Sequence, residues 1–402
     1  MRFKNVILPS LAVVALSFVS CSDDDNNTVN DTVLVIPATY EFNRNDLSTV
    51  DYSGQSSRLL MLQEMGNYIK TNGTDGSIVD ASVLVNMYAN TNNPFSATEL
   101  NESGKQLRDK TAASRDYFVN LGGGGSTLEQ TQVRAFFASQ FDDANAASQG
   151  NDAAANVAGK YLDGTSTRLF AANGLEPQQV LLKGMMGACF MDQIVNNYLS
   201  TAVLDEGSNR DDNTNKVLVS GKNYTEMEHK WDEAYGYIYG AGGGKYWDSY
   251  INQVDADVDF NTVADDIELA FRKGRAAIVA NDYEVRDQQI EIIKSKLAIV
   301  PAVRAVYYLI EGKAKLVTDS GAKAFHALSE AYGFIMALRY TNNPSTDMPY
   351  MTKSEVDVLL AELTAGTNGL WDVDYLNANL DGWADEIATR FGFTVAQAAT
   401  VN

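Results

Sequence analysis

The sequence predicts an all-α protein, and three observations support this fold class. Apolar residues recur three and four positions apart along most of the chain, whereas few segments alternate between apolar and polar residues. Clusters of Gly, Asn, Asp, Ser and Pro separate these periodic stretches, as expected of loops between helices. The chain has 402 residues, 45% of them hydrophobic, which is enough to bury a large core. We therefore expect a helical bundle.

The first predicted helix lies within residues 56–70. Its apolar residues, among them Leu59, Leu62 and Ile69, fall on one helical stripe, and Gly and Ser residues precede it. A short apolar run, VLVIP at 33–37, is the one segment where we expect a strand.

Eight further stretches show the helical period. Pro177 stands where a helix can begin, because the first turn does not use its missing N–H. Pro301 lies inside the longest stretch and should kink or split that helix. The eight predicted helices are 97–121, 128–149, 177–203, 224–239, 262–280, 284–316, 321–339 and 352–363. The predicted loops are 121–126, 207–215, 240–244 and 341–349.

The charge balance limits the partners. The chain has 52 acidic and 31 basic residues, and its formal net charge is −21. Nucleic-acid binding depends on Lys and Arg that neutralise phosphates, so nucleic acid is not expected as a partner. Anionic lipid headgroups would also repel this surface, so charge does not hold the protein on a membrane.

The N-terminus has the pattern of an export signal. Arg2 and Lys4 form a basic region, and the apolar run 6–19 that follows is too short for a membrane span. The run ends in FVSC, which resembles a bacterial lipobox and implies that Cys21 is acylated after cleavage. Lipid on Cys21 would then hold the protein on the membrane. The alternative is an ordinary secretory signal that contains a cysteine.

The acidic SDDD that follows Cys21 resembles the export tag of Bacteroidetes surface lipoproteins, which implies the outer face of the outer membrane. Polar residues dominate 22–32, so this segment is predicted to be a disordered tether. The predicted organisation is a signal peptide at 1–20, the lipidated Cys21 and tether at 21–32, and a helical domain at 33–402. The length also allows two lobes, 33–175 and 176–402.

An internal repeat is the most informative pattern. The only two histidines of the chain stand in similar phrases, HKWDEAYGYI at 229–238 and HALSEAYGFI at 326–335. A weaker echo precedes each phrase, LLKGMMGA at 181–188 and IIKSKLAI at 292–299. We infer a duplicated helix pair, and such a duplication predicts a pseudo-two-fold axis through the bundle.

In each copy, His, Glu four residues later and Gly seven residues later share one helix face. A helical glycine costs about 1 kcal/mol relative to Ala, so its presence suggests a close backbone approach, for example of the two repeat helices. Imidazole and carboxylate are suitable ligands for iron or zinc. One hypothesis is therefore a shared metal or polar ligand site. The other is that each Glu hydrogen-bonds its own His, or a backbone group of the other copy, and so fixes the register of the bundle. The candidate residues are His229, Glu233, His326 and Glu330.

Two family resemblances follow from these motifs. The duplication, the lipobox and the H-x-x-x-E helix resemble imelysin-type proteins, two-lobed helical envelope proteins linked to iron uptake and once described as peptidases. Their usual phrase is G-x-H-x-x-E, which spaces His and Glu differently. A closer resemblance is to a Bacteroidetes lipoprotein family of unknown function, family 4856, carried by the phrases at 40–65, 181–193 and 227–237. That resemblance implies nutrient or iron acquisition only by association with TonB-linked uptake.

Three functions remain open at this point. The first is a surface binding protein for metal, such as iron, or for another nutrient, acting with outer-membrane uptake proteins. The second is a structural or interaction lipoprotein of an outer-membrane complex. The third is a metal-dependent peptidase of imelysin type. The chain offers little acid–base chemistry, because it has only two histidines. Binding is therefore the leading hypothesis, with iron or zinc as a possible cofactor.

Overall fold

The computed structural model describes residues 34–118, 126–164, 166–318 and 321–401. These residues are mostly helical, so the predicted all-α class is confirmed. The fifteen α-helices of this part of the chain are α1 (Ser53–Asp75), α2 (Ala81–Ala89), α3 (Thr98–Glu102), α4 (Thr127–Ala147), α5 (Pro177–Met185), α6 (Thr201–Leu204), α7 (Asn209–Thr214), α8 (Glu226–Tyr239), α9 (Trp247–Asp255), α10 (Val263–Ala280), α11 (Tyr283–Thr318), α12 (Ala322–Leu338), α13 (Lys353–Leu363), α14 (Val373–Phe391) and α15 (Val395–Ala398).

The strands are few and short. Two antiparallel hairpins are present in the described residues, β1 (Asn43–Arg44) with β2 (Leu47–Ser48), and β3 (Gly159–Asp163) with β4 (Ser166–Phe170). The prediction of a strand at VLVIP is wrong for its described part, 34–37, which has no regular structure.

Helix α11 is the longest element and lies at the centre of the bundle. It packs against α10, α12 and α14, so apolar residues occur on most of its sides. It runs from Tyr283 to Thr318 through the buried Pro301, so of the two predicted outcomes, a kink or a split, the split is wrong and the kink stays a prediction. Pro301 removes one helical hydrogen bond, and the helices packed around it hold α11 continuous.

The helix predicted at 177–203 continues beyond α5 in a different geometry. Pro177 occupies the first turn, as predicted. Two wider π-helical segments follow, Met186–Met191 and Ile194–Tyr198, and the helix ends there. Between them lies Asp192, which is fully buried and accepts hydrogen bonds from the backbone and side chain of Ser114. Burial raises the pKa of Asp192 to about 6 despite these bonds.

Polar caps explain where two of the helices begin. Thr225 and Glu228 form a reciprocal capping box at the start of α8, and Thr352 and Glu355 do the same at α13. Each box satisfies two backbone N–H groups that the first helical turn leaves free.

The prediction of a helix at 97–121 is wrong over most of its described part, because only the short α3 and a 3₁₀ turn, Arg108–Lys110, form there.

A buried ion network attaches the N-terminal segment to the bundle. Arg275 of α10 is fully buried and contacts Asp232 (Nε–Oδ1, 2.9 Å) and Glu228 (NH1–Oε1, 3.3 Å) of α8. Arg44 of β1 also contacts Glu228 (2.8 Å), and Tyr40 donates to Asp232 (2.7 Å). Charges buried at this depth require such partners. Residues 40–44, before α1, are therefore part of the folded domain.

Residues 35–402 form one compact unit with one continuous core. The core contains residues from both sides of residue 175, the predicted boundary between lobes. In the described part of the chain, none of the helices combines the length and the apolar character needed to span a bilayer.

Candidate functional site

The first predicted pair, His229 and Glu233, lies on α8. The His229 ring stacks on Tyr224, with centroids 4.4 Å apart and planes 12° from parallel. Glu233 accepts hydrogen bonds from Gln55 of α1 (2.8 Å) and from Tyr198 (3.1 Å). The two residues of this pair therefore have separate sets of neighbours, although they lie one turn apart.

The second pair, His326 and Glu330, lies on α12 in a more polar surrounding. Nδ1 of His326 lies 2.6 Å from Oε2 of Glu176, and Nε2 lies 3.6 Å from Oε2 of Glu330. Arg168 of β4 also lies beside Nδ1 (2.8 Å). The imidazole thus stands between two carboxylates, which face its opposite nitrogens.

The Glu330 carboxylate forms a buried ion pair with Lys183 of α5 (3.1 Å). The pKa of Glu330 is lowered below its ordinary value. Burial alone would raise this pKa, but the charges of Lys183 and His326 outweigh the effect of burial. Burial lowers the pKa of Lys183, and Glu330 and Tyr250 more than compensate, so that pKa is raised. Both groups therefore stay ionised at neutral pH and connect α12 with α5.

The two predicted His–Glu pairs have different neighbours. His229 and Glu233 contact Tyr224, Gln55 and Tyr198, whereas His326 and Glu330 contact Glu176, Arg168 and Lys183. Within the described residues, all four included, no group of three or more His, Cys, Asp or Glu side chains is arranged to hold a metal ion. Both glutamates instead contact side chains of other segments, Glu233 those of Gln55 and Tyr198 and Glu330 that of Lys183. Binding of iron or zinc stays a prediction.

The repeat is visible in one contact. Tyr198 donates a hydrogen bond to Glu233, and at the corresponding position of the second copy Tyr308 lies close to Glu330. The packing around these contacts differs between the copies. Helix α12 lies along both α11 and α5, whereas α8 packs mainly against α1, α10 and the segment Ile194–Tyr198. The two repeat helices thus have partly different neighbours, and the pseudo-two-fold axis stays a prediction.

The two repeated glycines lie at close contacts, as predicted, but not with each other. A Cβ on Gly236 would lie 2.3 Å from Cβ of Tyr52, beside α1. A Cβ on Gly333 would lie 2.4 Å from Cβ of Lys183, on α5. Each glycine therefore lets a different helix approach the repeat helix.

The chain has two cysteines, Cys21 and Cys189. Cys21, the predicted lipidation site, lies outside the described residues. Cys189 is buried, and burial raises the pKa of its thiol to about 12. A neutral thiol is a poor nucleophile and a poor metal ligand. The role of Cys189 is therefore to pack in the hydrophobic core.

A pocket that the sequence did not reveal opens between α4, α12 and α13. It has a volume of about 310 Å³. The rings of Phe136 and Tyr332 form part of its wall, with centroids 6.3 Å apart and planes 13° from parallel. Its lining consists of Glu129, Gln132, Val133, Phe136, Tyr332, Met336, Arg339, Tyr340, Lys353, Asp357, Leu360, Ala361 and Thr364.

One end of this pocket is charged. Arg339, at the end of α12, pairs with Glu129 of α4 and lies 3.6 Å from Asp357 of α13. Asp357 also pairs with Lys353, one turn earlier on α13. Glu129 and Arg339 are buried, while the side chains of Lys353 and Asp357 are 36% and 44% exposed. The pocket therefore offers one accessible cation and one accessible anion next to apolar walls.

Three helical stripes build this pocket, and each is visible in the sequence separately. Glu129, Val133 and Phe136 share one face of α4, and Tyr332, Met336 and Arg339 share one face of α12. In each of these two stripes the residue that could have indicated a binding site is the charged residue at its end, Glu129 or Arg339. Which stripes meet depends on packing between segments about 200 residues apart, which local periodicity does not report.

The comparisons support the closer of the two family resemblances. Residues 37–394 match the family described as "Domain of unknown function (DUF4856)". Neither a curated protein nor a solved structure matches the chain. The more distant resemblance to imelysin-type proteins therefore stays a prediction.

Proposed function

We propose that this chain, which belongs to the DUF4856 family, is an exported, lipid-anchored binding protein that captures a small nutrient molecule at the cell surface. The observation that carries this proposal is the pocket between α4, α12 and α13. Its volume of about 310 Å³ lies within the range of small-molecule sites. Apolar walls with a few polar groups at one end are also typical of such sites.

The chemistry of the lining favours binding over covalent catalysis. None of the described residues that line the pocket is Cys, Ser or His, and the charged side chains of the lining pair with one another. The hydroxyl of Thr364 donates to carbonyls of its own helix. Nucleophilic catalysis requires a nucleophile beside a base. The lining instead supplies surface for contact and charges for orientation.

The proposed location rests on the N-terminal sequence. The export pattern at 1–19, the lipobox-like FVSC and the acidic SDDD support acylation of Cys21 and exposure on the outer membrane. A small molecule caught there would pass to an outer-membrane uptake protein. Replacing Cys21 by Ser should move the protein from the membrane fraction to the soluble fraction. Unchanged membrane association of that variant would refute the lipid anchor.

Blocking the pocket tests the binding function. The soluble Cys21→Ser protein is heated with sets of amino acids, short peptides, sugars and metal salts, and its melting temperature is recorded. A true ligand raises the melting temperature, because it binds only the folded state. The substitution Ala361→Trp, at an exposed position of the pocket lining, should abolish this effect.

The matched control is Val358→Trp, which places the same side chain at an exposed position of α13 outside the lining. It should retain the ligand effect. Equal loss in both variants, or a ligand effect that survives Ala361→Trp, would contradict the pocket as the binding site. If no compound in any set stabilises the protein, the structural or interaction lipoprotein becomes the better interpretation.

A further inference from the structure

The pocket between α4, α12 and α13 is polarised along its length. At one end lie Glu129, Arg339, Lys353 and Asp357. Towards the other end the same three helices present apolar side chains: Val133 and Phe136, Tyr332 and Met336, and Leu360 and Ala361. The lining also includes Gln132, Tyr340 and Thr364, whose side chains are uncharged. Because the charges lie at one end and the apolar side chains towards the other, the pocket suits a ligand with one charged end and one apolar end.

The charges at the polar end alternate in sign. Glu129 pairs with Arg339, Arg339 lies beside Asp357, and Asp357 pairs with Lys353. Their formal charges sum to zero. A ligand with a single charge would leave either Asp357 or Lys353 without a partner of opposite charge. A ligand that carries both charges can pair with both side chains.

The ion pair between Lys353 and Asp357 can open at a small cost in free energy, so that each side chain can bind a ligand group instead. Lys353 and Asp357 are both partly exposed, and exposed ion pairs contribute only about 0–1 kcal/mol. A ligand ammonium can therefore replace Lys353 at Asp357, while Lys353 takes a ligand carboxylate. Arg339 stays in place, because it is buried and held by Glu129.

We propose that the pocket binds a free α-amino acid with an apolar or aromatic side chain, its ammonium on Asp357, its carboxylate on Lys353 and its side chain beside Phe136 and Tyr332. This assignment rests on the proposed binding function and names its ligand class. The volume of about 310 Å³ lies near the lower limit for small-molecule sites, which suits a ligand of this size.

Calorimetric titration of the full chain carrying Cys21→Ser tests the assignment with four probes. L-phenylalanine and L-leucine carry both charges, 3-phenylpropionate lacks the ammonium, and phenethylamine lacks the carboxylate. We expect one of the amino acids to bind, and both single-charge analogues of L-phenylalanine to bind at least tenfold more weakly than L-phenylalanine. Asp357→Asn and Lys353→Gln should each weaken binding of the amino acid at least tenfold.

The control variants Lys313→Gln and Asp381→Asn remove an exposed ion pair outside the pocket, and they should leave the affinity unchanged. If a single-charge analogue binds as tightly as L-phenylalanine, the amino-acid assignment is wrong. If no amino acid binds while another compound stabilises the protein and Ala361→Trp removes that effect, the assignment is also wrong but the binding function stands. If nothing binds at all, both fail.

Discussion

Phe136 of α4 and Tyr332 of α12 face each other, with ring centroids 6.3 Å apart and planes 13° from parallel. Seven residues before Phe136 lies Glu129, and seven residues after Tyr332 lies Arg339, and these two form a buried ion pair. Seven residues are two helical turns. The two contacts therefore fix α4 and α12 in one antiparallel register, and the binding pocket lies along that register.

Breaking the Glu129–Arg339 pair should destabilise the fold strongly. Arg339→Met leaves the buried Glu129 carboxylate without its cation, which typically costs about 3–5 kcal/mol. The double variant Glu129→Met, Arg339→Met removes both charges and should recover much of that loss. Urea unfolding of the single and double variants measures the coupling. Strictly additive losses would show that the two side chains do not depend on each other.

The close contact at Gly333 gives a second prediction. Gly333→Ala would place a methyl group 2.4 Å from Cβ of Lys183 unless the neighbours shift, and it should cost about 1–3 kcal/mol. Gly382→Ala is the matched control, because a Cβ at that helical position meets nothing within 4 Å. The control should stabilise the protein by about 0.5–1 kcal/mol. Thermal unfolding compares the two, and equal effects would contradict the packing at Gly333.

The buried Asp192 predicts a dependence of stability on pH. Its folded-state pKa is raised to about 6, so the native state retains a proton between pH 4 and 6 that the unfolded chain has released. The free energy of unfolding should therefore fall as pH rises through this range, by roughly 2–3 kcal/mol from Asp192 alone. Asp232, whose pKa burial also raises to about 6, acts in the same direction.

Urea unfolding at several pH values measures this slope. Above pH 4.5 the slope that Asp192 contributes can be distinguished from the contributions of Glu355 and Asp51. The pKa values of these two residues are lowered to about 2, so their contributions to the free energy of unfolding are lost only in more acidic solution. Asp192→Asn cannot titrate and should flatten the slope, even if it lowers stability at every pH. An unchanged slope in this variant would contradict the assignment to Asp192.

A metal titration tests the hypothesis that the repeat builds a metal site. We expect the His229→Ala, His326→Ala double variant to bind ferrous iron and zinc as the parent protein does, because the two imidazoles have different neighbours. Both proteins are compared by calorimetry in the Cys21→Ser background, with circular dichroism to confirm folding. A folded double variant that has lost the metal binding of the parent protein would support the metal hypothesis.

The sequence determined the helical class and most helix positions, because these depend on local periodicity. It located α4, α8, α10 and α12 to within a few residues. It missed α14, although apolar residues such as Leu376, Leu380 and Ile387 follow the helical period there. The predicted split at Pro301 does not occur, because packing around α11 outweighs a local preference against helix, while a kink there stays a prediction.

Only the tertiary structure decided which residues form a site. The repeat placed His–Glu pairs on two helices, and the bundle gave each pair different neighbours, because α12 lies between α5 and α11 while α8 packs on α1 and α10. The pocket combines residues of α4, α12 and α13, from Glu129 to Thr364. A helix stripe is a local property of the chain, whereas the partner of a stripe is chosen by the packing of the whole core.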